Sequence, residues 1–129
     1  MALIRKEDQE YLKSEFEKHL KEDVDLVVFT SNDSDCKYCK ETLELATEVS
    51  AIDSRIHLVV YNFDEDKDKA KSFGVEKYPA TVIEKHGQET GRVRYYGIPS
   101  GYEFGSLIED LKIVSSGEAD VSSRAMEII

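Results

Sequence analysis

The chain of 129 residues contains two cysteines, Cys36 and Cys39, separated only by Lys37 and Tyr38. A Cys-x-x-Cys pair opening a helix has a defined chemistry. Unsatisfied backbone N–H groups and the helix dipole stabilise a thiolate at the first position, which makes Cys36 a nucleophile toward a disulfide. Cys39, nearly one turn later, lies within reach of the first sulfur. It would resolve the mixed disulfide and leave the pair oxidised; run backward, the same steps oxidise a dithiol. Local charges divide, since Lys37 and Lys40 favour the thiolate while Asp33, Asp35 and Glu41 oppose it. The helix terminus sets the sign, so Cys36 is expected below the ~8.5 of a free thiol and above the ~3.5 of the strongest oxidants.

Other chemistries fit less well. A structural zinc site wants four ligands, and His19, His57 and His86 are scattered without finger-like spacing. Covalent haem attachment requires His directly after Cys39, where Lys40 stands. A Cys-His hydrolase leaves the second cysteine without a role. Two alternatives stay open: a pair of cysteines that merely pack, set against the polar surroundings of Cys36, and metal or iron–sulfur ligation shared across a dimer. Asp64, Asp66 and Asp68 imitate the start of a calcium loop, but Lys69 and Val75 replace the Gly and Glu such a loop needs. They read as a solvated helix start. Pro79, after Tyr78 at a strand start, either begins an edge strand or takes the cis isomer, which leaves the preceding backbone free to pair with an extended ligand.

The elements that must position these residues follow from periodicity. Leu12, Phe16 and Leu20 form one apolar stripe on a helix over residues 6–21. The run Asp25–Thr30 reads as a central strand, followed by a loop at Ser31–Asp35. A second helix is expected to start at the cysteines, capped by Ser34 or Asp35 and carrying Leu43, Ala46 and Val49. Ile56–Asn62 reads as a second buried-type strand, and Asp66–Phe73 as a short helix ended by Gly74. Ala80–Glu84 and Arg92–Tyr96, around Gly87 and Gly91, form a hairpin. A helix from about Tyr102 to Val114 carries Phe104, Leu107, Ile108 and Leu111, with Gly117 past its end. The expected class is α/β: a mixed four-stranded sheet with helices on both faces, in the order αβαβαββα. Val121, Ala125, Met126, Ile128 and Ile129 form an apolar face on what reads as a further helix from near Asp120, to be covered by a missing or partner domain, by an oligomer contact or by its own domain.

Composition narrows the function classes. With 17 basic and 27 acidic side chains the formal charge is −10, which argues against nucleic acid as a partner. No apolar run approaches the ~18 residues of a membrane span, and Met1–Asp8 lacks the apolar core of a secretory signal, so a soluble, cytoplasmic protein of one domain is expected.

Cys36-Lys37-Tyr38-Cys39 after a buried strand, Tyr78-Pro79-Ala80-Thr81 farther on, and Tyr96-Gly97 at a strand end together resemble the thioredoxin and glutaredoxin superfamily. The resemblance implies a thioredoxin-like fold in which Pro79 is cis and faces an active-site disulfide at Cys36. The Met1–Ile4 opening, the helix ahead of the first strand and the stretch Val93–Phe104 look like the amino-terminal unit of archaeal protein disulfide oxidoreductases, glutaredoxin-like proteins with two such units in tandem. That likeness implies a domain at 1–115, with 116–129 as linker and first helix of a second unit. There are departures: Asp35 precedes Cys36, Trp is absent, and Lys37 stands where glutaredoxins have proline. The redox potential is therefore not transferable, and Asp33 and Asp35 disfavour glutathione by like charge.

The expected function is that of a thiol-disulfide oxidoreductase on protein disulfides or dithiols, with Cys36 and Cys39 catalytic, Tyr78, Pro79, Lys37 and Tyr38 substrate-binding, and neither metal nor organic cofactor. The resemblance implies a flavin-containing thioredoxin reductase as electron donor and a second thioredoxin-like unit as partner. The alternative is a weakly active or non-catalytic unit that uses the Pro79 face to hold extended peptides or that second unit.

Overall fold

The apolar run after Asp23 folds as β1 (Val24–Thr30), buried through Phe29. Successive side chains leave a strand on opposite faces, so a run without alternation must be covered on both. Val24, Leu26 and Val28 enter a larger core with helices α1 (Lys6–His19), α2 (Cys39–Ile52) and α4 (Tyr102–Ser116). Val27 and Phe29 enter a smaller core with α3 (Lys67–Ser72) on the other face. The computed structural model describes residues 4–99 and 102–116.

The remaining strands are β2 (Ile56–Asn62), β3 (Ala80–Lys85) and β4 (Val93–Tyr96), giving the order αβαβαββα. The sheet order is β2-β1-β3-β4. β1 pairs in parallel with β2, Val24 opposite Ile56 through Thr30 opposite Asn62. It pairs antiparallel with β3, Phe29 opposite Ala80, and β3 pairs antiparallel with β4, Ala80 opposite Tyr96. The chain is thus a thioredoxin-like α/β fold with a mixed four-stranded sheet.

Three expectations are corrected in detail. β2 is an edge strand rather than a buried one: only Ile56 is fully buried and Val60 is 46% exposed. Its β-branched run serves pairing on one side only. The second helix begins at Cys39, not Cys36, and neither Ser34 nor Asp35 caps it; Tyr38 occupies the cap position without a side-chain cap bond. The loop consumes its own polar side chains, since Ser31 Oγ accepts the Asp33 N–H at 3.0 Å and Asp33 Oδ1 accepts the Asp35 N–H at 2.9 Å. Such local bonding competes with capping. The last helix runs to Ser116, past the expected end at Val114; Gly117 and the apolar stretch 121–129, read as a helix opening a second unit, lie outside the described residues.

α3 ends as its sequence dictates. Gly74, at φ +69°, holds the left-handed position; the Val75 N–H reaches the Ala70 carbonyl at 2.7 Å and the Gly74 N–H the Lys71 carbonyl at 3.1 Å. These two bonds close the helix in a Schellman motif that turns Val75 back over Ala70. The β3–β4 loop is pinned by Glu84, 2% exposed, which accepts the Thr90 hydroxyl at 2.8 Å and the Gly91 N–H at 2.6 Å. Gly91 is fixed by space: any Cβ there would overlap the Phe73 carbonyl. Among the described residues no helix is long and apolar enough to cross a membrane.

Candidate active site

The carboxyl ends of the parallel pair β1 and β2 lie side by side at Thr30 and Asn62, the edge where α/β sheets place their ligand sites. The loop leaving β1 carries the cysteines. Cys36 and Cys39 are joined in a disulfide with Cα atoms 5.7 Å apart. Their exposures differ: Cys36 is half-buried, whereas Cys39, first residue of α2, is 8% exposed. Lys37 and Tyr38 between them face solvent, Tyr38 at 50% exposure.

Cys36 is held by its backbone, because its N–H donates to the Asp33 carbonyl at 3.0 Å. Asp33 is in turn fixed from across the sheet edge, where the Tyr78 hydroxyl donates to Asp33 Oδ2 at 2.9 Å. Tyr78 precedes Pro79, and the bond between them is cis. Pro79 is buried, its carbonyl accepts the Gly97 N–H at 2.9 Å, and Ala80 after it faces Phe29 of β1 and Tyr96 of β4. One chain of contacts therefore runs from the cysteine loop through Asp33 to the segment Tyr78–Pro79.

The β2–α3 turn completes the edge. Asp64 Oδ2 accepts the Ser31 hydroxyl at 2.6 Å and the Asn32 N–H at 3.2 Å, and the Phe63 ring packs against Tyr78 with centroids 5.2 Å apart. Asp66 bonds the Asn62 N–H at 2.9 Å. Asp64 and Asp66 thus build loops while Asp68 lies in the first turn of α3, and among the described residues no three His, Cys, Asp or Glu side chains group to hold a metal ion.

Electrostatics follow these bonds. The Asp35 backbone N–H, then the Tyr78 hydroxyl, hold the Asp33 carboxyl below the usual carboxylate range. The same bond to Asp33 raises the Tyr78 phenol. His57 and His86 lie at the opposite ends of the strands, where His57 Nε2 bonds Asp23 Oδ2 at 2.8 Å and His86 Nδ1 bonds Asp25 Oδ1 at 2.7 Å, and His19 ends α1.

In the sequence Asp33 stands out only as a charge opposing the thiolate, and Phe63 does not stand out at all. No local pattern marks either, since Asp33 finds Tyr78 45 residues away.

A family model described as Thioredoxin domain matches residues 24–109. No curated protein matches the chain's sequence. Among solved structures, the NTD_N/C domain of alkylhydroperoxide reductase AhpF from Enterococcus faecalis is 29% identical with a TM-score of 0.77, covering 88% of this chain and 54% of its own. A protein disulfide oxidoreductase from Aeropyrum pernix is 28% identical at TM-score 0.76, covering 88% and 49%. The chain thus spans about half the length of both. A mutant thioredoxin from Halobacterium salinarum, at 21% identity, TM-score 0.54 and coverage of 86% and 88%, shares the fold. With the disulfide after β1, the cis proline before β3 and a family match over most of its length, the chain belongs to the thioredoxin domain family.

Proposed function

We propose that the chain is a thiol-disulfide oxidoreductase acting on protein disulfides, with Cys36 as nucleophile and Cys39 as resolving thiol. The observation that carries this reading is the unequal exposure of the two cysteines, half-buried Cys36 ahead of α2 and buried Cys39 within it. A substrate disulfide can approach only the first. Once two donor thiols have reduced the pair, the Cys36 thiolate attacks one substrate sulfur, forming a Cys36–substrate disulfide and expelling the other substrate sulfur as a thiolate. Cys39, deprotonated, then attacks Cys36 Sγ, restoring the internal disulfide and releasing the second substrate thiol. Two electrons pass to the substrate, and both substrate thiolates take protons from water. The free N–H groups opening α2 favour the anionic sulfur at each step.

Tyr78 and Pro79 are read as the docking segment for the substrate backbone, with Lys37 and Tyr38 on the solvent side of the pair. The likeness to a protein disulfide oxidoreductase and an alkylhydroperoxide reductase domain, of which the chain covers about half, supports a second thioredoxin-like unit and a reductase as partners.

The test is dithiothreitol-driven reduction of insulin, followed by precipitation of its free chains. The wild-type protein accelerates precipitation and Cys36→Ser returns it to the uncatalysed rate. Equal rates for the two proteins would exclude this function.

A further inference from the structure

Beside the Tyr78–Pro79 segment the surface opens into a cavity of about 360 Å³ lined by Phe63, Lys67, Ala70, Lys71, Gly74, Val75 and Glu76. The end of α3 builds it. The Schellman closure folds Val75 back toward Ala70, both 5% exposed, and these with Phe63 give the cavity an apolar lining. Phe63 also packs on Tyr78, whose hydroxyl is bonded to Asp33 at the cysteine loop. The Phe63 ring thus links the cavity to Tyr78 and, through it, to Asp33 of the cysteine loop.

Its rim is charged. Lys67 and Lys71, four residues apart, project from one face of α3. Both are exposed, and neither makes an ion pair among the described residues, whereas Lys69 between them is held by Glu89 at 2.6 Å. Glu76 is the one acid among the lining residues. On a chain of net charge −10, two unpaired lysines at an apolar hollow complement a carboxylate.

We propose that this cavity is a specificity subsite, taking an apolar side chain of the substrate protein near its reactive cysteine while Lys67 and Lys71 hold an adjacent carboxylate. The subsite rests on the redox reading of Cys36 and Cys39. It selects protein segments in which leucine-like and acidic residues adjoin the disulfide, and it disfavours basic ones.

The test uses the full chain, reduced, and peptides whose single cysteine is joined by a disulfide to a chromogenic aromatic thiol. A Leu-Glu pair is moved through the positions flanking that cysteine, with Ala-Gln and Leu-Lys pairs as controls. At one register Leu-Glu is expected to react roughly tenfold faster than Ala-Gln, the scale of discrimination by an apolar pocket. In Lys67→Glu/Lys71→Glu the order of Leu-Glu and Leu-Lys inverts, while the peptide-free aromatic disulfide reacts at the wild-type rate. Equal rates for all peptides at every register, or an order unmoved by the double reversal, overturn the subsite. Failure of the peptide-free disulfide to react faster with wild type than with Cys36→Ser overturns the redox reading itself, and the subsite with it.

Discussion

Asp33 carries more of the site than its charge alone. Its carbonyl holds the Cys36 N–H, and its carboxylate joins the cysteine loop to Tyr78. The lowered pKa of Asp33 stabilises the fold above the ordinary carboxylate pKa near 3.9, a contribution lost as pH falls through the lower folded value. Tyr78→Phe removes one of the two bonds that lower it and keeps the ring on Phe63. NMR titration of that variant is expected to show the Asp33 carboxyl moved upward; an unmoved value would mean that the hydroxyl does not hold it in solution. His86 runs the other way. Its hydrogen bond and attraction to Asp25 raise its pKa, so its contribution is complete below about 6.5 and lost as pH rises through the folded value. The urea-midpoint gap between wild type and His86→Gln should therefore shrink between about pH 5.5 and pH 8.5, and a gap constant in pH would count against the pair. At this scale the cysteines and Pro79 were legible because their chemistry is local. Asp33 and Phe63 were not, because each acquires its place only when distant segments meet at the sheet edge.

Among the elements, the apolar run of β1 was readable because two-sided burial leaves no alternation to misread. The start of α2 lies later than the sequence predicts because the side chains of Ser31 and Asp33 hold this segment as a loop, which leaves Ser34 and Asp35 ahead of the cap position at Tyr38. Contacts between elements leave no sequence pattern. Ser115 of α4 is one: fully buried, its Oγ accepts the Lys21 and Glu22 N–H groups at 2.9 and 3.1 Å and donates to the Glu22 carbonyl at 2.6 Å. It ties the end of α4 to the turn between α1 and β1. Ser115→Ala leaves the Lys21 N–H and the Glu22 carbonyl short of a partner, while the Glu22 N–H keeps the Ser115 carbonyl at 3.1 Å, and is expected to cost about 1–3 kcal/mol in urea unfolding; a change below about 0.5 kcal/mol would show that the turn relaxes. Arg55 closes the opposite end of the same region, with Nη2 donating to the Phe16 carbonyl at 3.0 Å, another Nη–H to the Leu20 carbonyl, and the guanidinium paired to Asp53 at 2.7 Å. Arg55→Ala is expected to destabilise by about 1.5–3 kcal/mol. That figure includes capping of α1, so Arg55→Lys should recover part of it but not all.

For the molecule as a whole, the element order and a mixed sheet covered on both faces follow from patterning, whereas the strand order β2-β1-β3-β4 comes from the structure, and the Cys36–Cys39 disulfide sits at the carboxyl ends of the parallel strands. Partner choice is not written in such patterns, because it depends on surfaces rather than on periodicity. The central claim is that Cys36 attacks a protein disulfide and Cys39 resolves it. Its most direct test is to mix reduced Cys39→Ser with insulin and weigh the products by intact-mass spectrometry. A covalent adduct carrying insulin mass, mapped by proteolysis to Cys36, cleaved by dithiothreitol and absent from Cys36→Ser, is the predicted result; no adduct, with Cys36 still a free thiol, would contradict it.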